Sequence, residues 1–373
     1  MRWLCGLPAL AVIGGCSLLA PGDDEFLGGS AGSAAAGGVS VGGSGGATAG
    51  GSGGVGATGG SGGSSAAGGS AGSGGVGASP SGGGTGGGGG SGGTGGATCV
   101  PAVGTATPRS VELYLLLHRS ATLSNAQWAS VKNQVSQFAS AASNVSAGLQ
   151  YVPPAQNGDC NGAGYATPAV PFAPLPQNAA AIDLSLGGTT VGSGGTQFEG
   201  AANGLMTLGA TRVAASPATQ FSAVLIVTGN WYGCTMSAPA VASILAQAWP
   251  SVSTYVIGAI GATAAELDLM ASAGGTVARL GSSGTLSSAL AEAARPCQFE
   301  LPAGVPPANV SLTLNGGTTP ALLEQRPSAT ACGAADGWFV SPNSSQTAAL
   351  CPASCRKAIA TAGSSVDYAT SCD

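Results

Sequence analysis

The sequence predicts an α/β fold: a doubly wound, mostly parallel sheet with one antiparallel edge strand and helices on both faces, followed by a small disulfide-rich α+β appendage. Three observations predict it. From residue 111 onward, apolar runs alternate with stretches whose apolar residues recur at spacings of three and four, the pattern of strands and amphipathic helices in turn. The most apolar run, "FSAVLIVTG", falls mid-chain, as a sheet-centre strand covered on both faces does. After Cys297 the alternation stops and cysteines crowd together.

The elements follow in order. "VELYLLL" is the first strand, and it delivers His118, the chain's only histidine, at its tip. "SNAQWASVKNQVSQFASAA" is a helix with Trp128, Val131, Val135 and Phe138 on one face, and Ser124 is its expected N-cap. "VSAGLQYV" is the second strand. "YATPAVPFAPLP" holds too many prolines for a central strand and reads as the sheet edge. "QNAAAIDLSL" is a helix, "GGTTVGSGGT" a glycine-rich loop, and "FEGAANGLMTLGATRVA" another helix. Beyond the central strand come the helix "APAVASILAQAW", the strand "STYVIGAIG", the helix "AAELDLMASA", the short strand "TVARL" and the helix "GTLSSALAEAA". The appendage shows "ANVSLTLN", "ALLEQR", "GWFV", a short helix near Cys351–Ala360 and a final strand, "VDYATSC".

Ahead of the fold lie segments of another kind. "MRWLCGLPALAVIGGC" reads as an export signal, too short to span a membrane as a helix. Its end, Ile13-Gly14-Gly15-Cys16, resembles the bacterial lipobox, in which the cysteine is lipidated and becomes the new N-terminus. Ser17 rather than Asp follows it, which implies the outer membrane or cell surface of a Gram-negative bacterium. The run from Gly28 to Thr98 is almost wholly Gly, Ser, Ala and Thr, with no charged side chain. It reads as a disordered tether of about 70 residues with a span of roughly 40–50 Å. The expected organisation is therefore a signal peptide (1–15), a lipidated N-terminus (16–27), a linker (28–98), an α/β domain (99–297) and a Cys-rich subdomain (298–373).

Cysteine placement constrains the bridges. In a βαβ sheet, Cys99 and Cys297 belong to the bottom edge, and Cys160 and Cys234 to the top. Cys99–Cys297 and Cys160–Cys234 are the expected pairs, with Cys332, Cys351, Cys355 and Cys372 paired among themselves in an undetermined order. Charged residues make up 7% of the chain and the net charge is −5, so nucleic acid is not an expected partner.

At the top edge "LHRSATLS", "GSGGTQF" and "IVTGNWYGC" converge. Their order and spacing resemble the von Willebrand factor type A family, in particular the secreted, lipobox-bearing forms of myxobacteria. In that family an Asp-x-Ser-x-Ser motif, a loop Thr and a Thr-Asp-Gly motif hold a divalent cation, usually Mg²⁺, and a ligand carboxylate completes its shell. The resemblance places His118 at the first Asp, Ser120 and Thr122 in the hydroxyl slots, Thr196 at the loop Thr, and Gly229 after Thr228 where the second Asp belongs. Both carboxylates are gone. Mg²⁺ draws much of its affinity from carboxylate charge, so a degenerate site and no metal or cofactor are expected. Glu199 and Asp159 are the nearest replacement carboxylates. One His with hydroxyls makes a poor site for Zn²⁺ or Cu²⁺ as well.

The resemblance therefore implies a non-enzymatic surface lipoprotein, held to a membrane by lipid on Cys16 and binding a protein or surface polysaccharide. Phe198, Trp231 and Tyr232 form the candidate contact rim, although Trp231 alternatively covers its own disulfide. Two other readings stay open. One is an envelope-organising lipoprotein that binds nothing at the rim. The other is a hydrolase using Ser120 and His118, for which no Gly-x-Ser-x-Gly elbow is present.

Overall fold

The computed structural model describes residues 101–154, 160–192, 197–228, 234, 237–259, 262–280 and 285–372. The signal peptide, lipobox, linker, Cys99, Asp159, Thr196, Gly229, Trp231 and Tyr232 lie outside the described residues.

The central sheet is built from β3 (Ser110–His118), β4 (Val145–Val152), β5 (Val170–Pro174), β6 (Thr219–Val227), β7 (Ser253–Gly258) and β8 (Arg279–Leu280), in the order β5-β4-β3-β6-β7-β8. All pairings are parallel except β5 against β4. The proline-rich segment is thus the antiparallel edge, where proline's missing N–H costs no ladder bond. The helices are α1 (Asn125–Ala141), α2 (Ala179–Gly187), α3 (Phe198–Ala215), α4 (Ala238–Ala248), α5 (Ala264–Ala273) and α6 (Leu286–Ala293).

Strand alternation sorts the core into two layers. Leu113, Leu115 and Leu117 of β3 pack with α1, α2 and α6, while Tyr114 and Leu116 pack with α3, α4 and α5. Each leucine buried this completely contributes on the order of 1.5–3 kcal/mol. Helix α1 buries Trp128, Val131, Val135 and Phe138. It starts with a capping box: Ser124 Oγ accepts from Gln127 N–H at 3.2 Å and Gln127 Oε1 accepts from Ser124 N–H at 2.9 Å. No helix among the described residues is long and apolar enough to cross a membrane.

The C-terminal part differs from a simple appendage. Two short strands ahead of the α/β core, β1 (Val103–Thr105) and β2 (Thr107–Pro108), complete sheets otherwise made after Cys297. One sheet runs β1-β14-β10-β11, with β10 (Val310–Asn315), β11 (Ala321–Leu323) and β14 (Ser365–Thr370). The other runs β12-β13-β9-β2, with β9 (Gln298–Glu300), β12 (Trp338–Val340) and β13 (Thr347–Leu350). With helix α7 (Pro352–Ala360), these sheets share the core layer of α1 and α6 through Leu312, Trp338, Leu350 and Ile359. Arg109, between β2 and β3, binds across the junction: its Nε donates to Ala218 O and its Nη1 to Thr347 Oγ1, both at 2.9 Å.

The bridges correct one expectation. Cys297 bonds Cys355, not Cys99; of the last four cysteines Cys332 and Cys351 pair with each other, while Cys355 pairs outside the group. The cause is the β9–β13 pairing. Leu350 N–H donates to Cys297 O at 2.9 Å, and the first turn of α7 then sets Cys355 opposite Cys297. Cys160 bonds Cys234, and Cys372 is itself disulfide-bonded.

Candidate functional site

The ends of β3, β4 and β6 lie side by side, with His118 in register with Val152. Sequence places a histidine on this tip, and the fold encloses it completely: His118 is 0% exposed. Its Nδ1 accepts the Thr228 backbone N–H at 3.1 Å, and Thr228 Oγ1 donates to the His118 carbonyl at 2.9 Å. Phe198, the first residue of α3, sets its ring at 64° to the imidazole with centroids 5.1 Å apart.

Burial pushes the His118 pKa down to about 3, so the ring is neutral at physiological pH. With Nδ1 accepting, the proton of the neutral ring belongs on Nε2. A group that protonates only near pH 3 is poorly matched to proton abstraction at neutral pH. A cation at Nδ1 would have to displace the Thr228 N–H. His118 and Thr228 are thus an uncharged pair, each side chain bonded to the other's backbone.

The hydroxyl ladder has local partners too. Ser120 Oγ lies 2.7 Å from Thr122 Oγ1 and accepts the Thr122 N–H at 3.2 Å. Ser120 is 3% exposed and shapes the turn that leads into the Ser124 cap.

A residue that sequence reasoning passed over organises the loops around this tip. Arg119 donates from Nε to Pro153 O at 3.1 Å, from Nη2 to Pro154 O at 3.0 Å and from Nη1 to Thr190 O at 3.3 Å. Its own carbonyl accepts from Gly192 N–H at 3.1 Å, and its guanidinium carbon lies 5.7 Å from the Tyr151 ring centroid. One fixed cation thus gathers carbonyls from the β4 end and from the loop after α2. The available signal was an arginine directly following a strand tip in a chain with only ten lysines and arginines.

Two further expectations meet the structure here. Phe198 is no rim anchor: it is 1% exposed and belongs to the core layer of α3 with Ala201, Ala202 and Leu205. That spacing of three, four and seven is the signature of a buried helix face. Glu199 lies beside the Cys160–Cys234 bridge, its carboxylate and the two sulfurs all within 4.8 Å of one another. While the sulfurs are bonded to each other they offer no thiolate to a metal.

No family model matches the chain, and no curated protein matches it by sequence. Solved structures resemble it remotely. A von Willebrand factor type A protein from Catenulispora acidiphila aligns at TM-score 0.38 and 13% identity, over 72% of this chain and 59% of its own. Manganese-loaded TRAP protein of Plasmodium vivax aligns at 0.35 and 18%, over 46% and 66%. Proximal thread matrix protein 1 of the mussel byssus, with a zinc-occupied MIDAS motif, aligns at 0.30 and 10%, over 50% and 46%. In each case less than two thirds of the neighbour's own length is spanned. At such TM-scores the likeness is remote, and the functional reading stands on the strand order and the tip geometry.

Proposed function

We propose that this chain is a non-enzymatic surface-binding lipoprotein, built on a von Willebrand factor type A-like fold whose metal site has been refilled with neutral, mutually bonded groups. The observation that carries this reading is His118. It occupies the slot of the first metal-ligating Asp, fully buried and neutral, with Nδ1 bound to the Thr228 backbone. A cation site needs charged oxygen at that position, and a general base needs a pKa nearer neutrality. A buried, neutral His118 supports the reading on both counts.

Anchoring by acyl chains on Cys16 and a long tether fit a domain that works at a distance from the membrane. Trp231 and Tyr232, in the sequence just before Cys234, remain the contact residues, and a protein or surface polysaccharide is the ligand class. Two measurements test the proposal. A reporter carrying roughly the first 30 residues, enough to include the lipobox, should incorporate fatty acid in a Gram-negative host and lose the label in Cys16→Ala. An unlabelled reporter removes the anchor. The full chain should adhere to cell envelopes in the presence of a chelator, and Trp231→Ala with Tyr232→Ala should reduce adhesion about tenfold or more. Unchanged adhesion in that variant removes the rim and favours the envelope-organising alternative.

A further inference from the structure

We infer that the Cys160–Cys234 bridge and Glu199 form a redox-gated metal site: closed as a disulfide, and open after reduction to bind Zn²⁺ or a similar thiophilic cation. This site is independent of the binding role proposed above.

Three features carry it. The first is chemical grouping. Two sulfurs and one carboxylate oxygen lie within 4.8 Å of one another. A tetrahedral Zn²⁺ holds thiolates at about 2.3 Å and a carboxylate oxygen at about 2.0–2.2 Å, which puts the sulfurs roughly 3.8 Å apart. The cysteine Cα atoms are 5.9 Å apart, so side-chain rotation suffices to part the sulfurs that far. Water fills the fourth position.

The second is access. Cys160 is exposed and Cys234 half-buried. The cysteines of the other two described bridges, Cys297, Cys355, Cys332 and Cys351, are all buried. Thiol–disulfide exchange needs the attacking thiolate to reach a sulfur, so a solvent-borne reductant meets this bridge before the two buried ones. The bridge of exposed Cys372 is open to the same attack and has no carboxylate grouped with it among the described residues.

The third is support that does not depend on the bridge. The segment after Cys160 packs backbone to backbone on α3. Gly162 sits at φ +96°, and a Cβ there would come within 2.4 Å of Gly204 N; one on Gly204 would come within 2.5 Å of Gly162 O. Tyr165 Oη donates to Gln197 Oε1 at 3.1 Å, one residue before α3 begins. Cys160 therefore stays against the helix turn that carries Glu199 when the bridge opens. Cys234 holds a left-handed backbone, φ +56°, which is uncommon for a residue with a side chain.

The chemistry balances. A dithiol reductant supplies two electrons and two protons, the S–S bond breaks, two protein thiols form, and the reductant leaves as its own disulfide. Zn²⁺ then binds both sulfurs as thiolates and releases the two protons. A small-molecule disulfide oxidant returns the bridge: it takes up two electrons and two protons, leaves as two thiols, and the re-formed S–S bond releases the cation.

The test uses the full chain, reduced anaerobically with limiting dithiol, with cysteine alkylation and peptide mapping to identify the opened bridge and Co²⁺ as the optical probe. The expected result is opening of Cys160–Cys234 ahead of the two buried bridges and one equivalent of bound Co²⁺ with a thiolate-to-cobalt charge-transfer band, displaced by Zn²⁺. The oxidised chain should show no band. Glu199→Gln should weaken binding about tenfold or more, since loss of even an outer-shell partner costs that much. Cys160→Ser with Cys234→Ser should abolish the band while keeping the native circular dichroism. The proposal is overturned if the buried bridges open first, if the reduced folded chain gives no band, or if the band survives the double serine variant. Should that variant fail to fold, the comparison of reduced with oxidised natural chain decides alone.

Discussion

The two ends of the central sheet are held by different means. At the lower end, Gln220 Oε1 accepts from both Cys297 N–H (2.8 Å) and Gln298 N–H (3.0 Å), and Arg109 ties the β6 approach to β13. Two buried disulfides and the shared core of Trp338, Leu350 and Ile359 lie beyond them. At the upper end there is one partly exposed disulfide, one buried neutral histidine and one arginine gathering loop carbonyls. The lower end is closed by apolar burial and covalent ties. The upper end is closed by polar groups satisfying one another, in a place where such folds put binding chemistry. The loops at this end are gathered by Arg119 through its own hydrogen bonds.

The largest expected effect comes from removing a bridge. Cys297→Ala with Cys355→Ala frees a separation of 58 residues, and loop entropy alone predicts a loss of about 4 kcal/mol. Cys160→Ala with Cys234→Ala frees 74 residues, and by loop length alone should cost slightly more. Burial reverses that order: the lower bridge sits in the core, with the Tyr255 hydroxyl 3.7 Å from Cys355 Sγ, and its loss also leaves a cavity. Denaturant unfolding of both variants should find the lower bridge the costlier. The opposite order would erase the contrast between the two ends.

Acid sharpens the contrast next. The folded pKa of His118 is lowered to about 3 from about 6.5 in the unfolded chain, so below pH 6.5 the unfolded state takes up a proton that the native state refuses. Its contribution is fully present above pH 6.5 and lost as pH falls toward 3, at about 1.4 kcal/mol per pH unit. Because His118 is the chain's only histidine, the slope between about pH 6.5 and 5 belongs to it. Unfolding measured across that range should show the slope in the natural chain and none in His118→Asn; a slope that persists there contradicts the buried neutral ring.

Arg119→Ala should cost about 2 kcal/mol, because it leaves the carbonyls of Pro153 and Pro154 without their charged donor. Arg119→Lys should recover only part of this, since an ammonium lacks the planar fork. The smallest effect is at the α1 cap: Ser124→Ala should cost about 1 kcal/mol in thermal unfolding. Peptide mapping under non-reducing conditions should also join Cys372 to Cys99. Cys372 is bonded, the other described cysteines are paired with one another, and β1, four residues past Cys99, pairs with β14 just before Cys372.

Much of the central sheet was legible because its signals are local. Apolar runs marked β3, β4, β6 and β7, prolines marked the β5 edge, and Ser124 marked the start of α1. The added sheets were not legible in full. Val103–Thr105 and Thr107–Pro108 are short, mostly exposed and without alternation, and their partners are roughly 190–270 residues away, so nothing local announces them. The Cys297 pairing depends on that same long-range closure. Phe198 was a different kind of miss. Its burial is written in its spacing to Ala201, Ala202 and Leu205, but its place after a glycine-rich loop drew it to the rim. At the tip the residue types were legible and the partner of each was not, because a side chain's burial is decided by whatever packs over it.

Calorimetric titration of the full chain with Mg²⁺ and Mn²⁺, beside a His118→Asp, Gly229→Asp double variant, tests the proposed loss of the metal site most directly. No heat of binding is expected in the natural chain. Measurable binding is expected in the variant, whose two restored carboxylates supply the missing charge. Saturable Mg²⁺ binding by the natural chain, reduced by Thr228→Ala, would contradict a tip refilled with neutral groups.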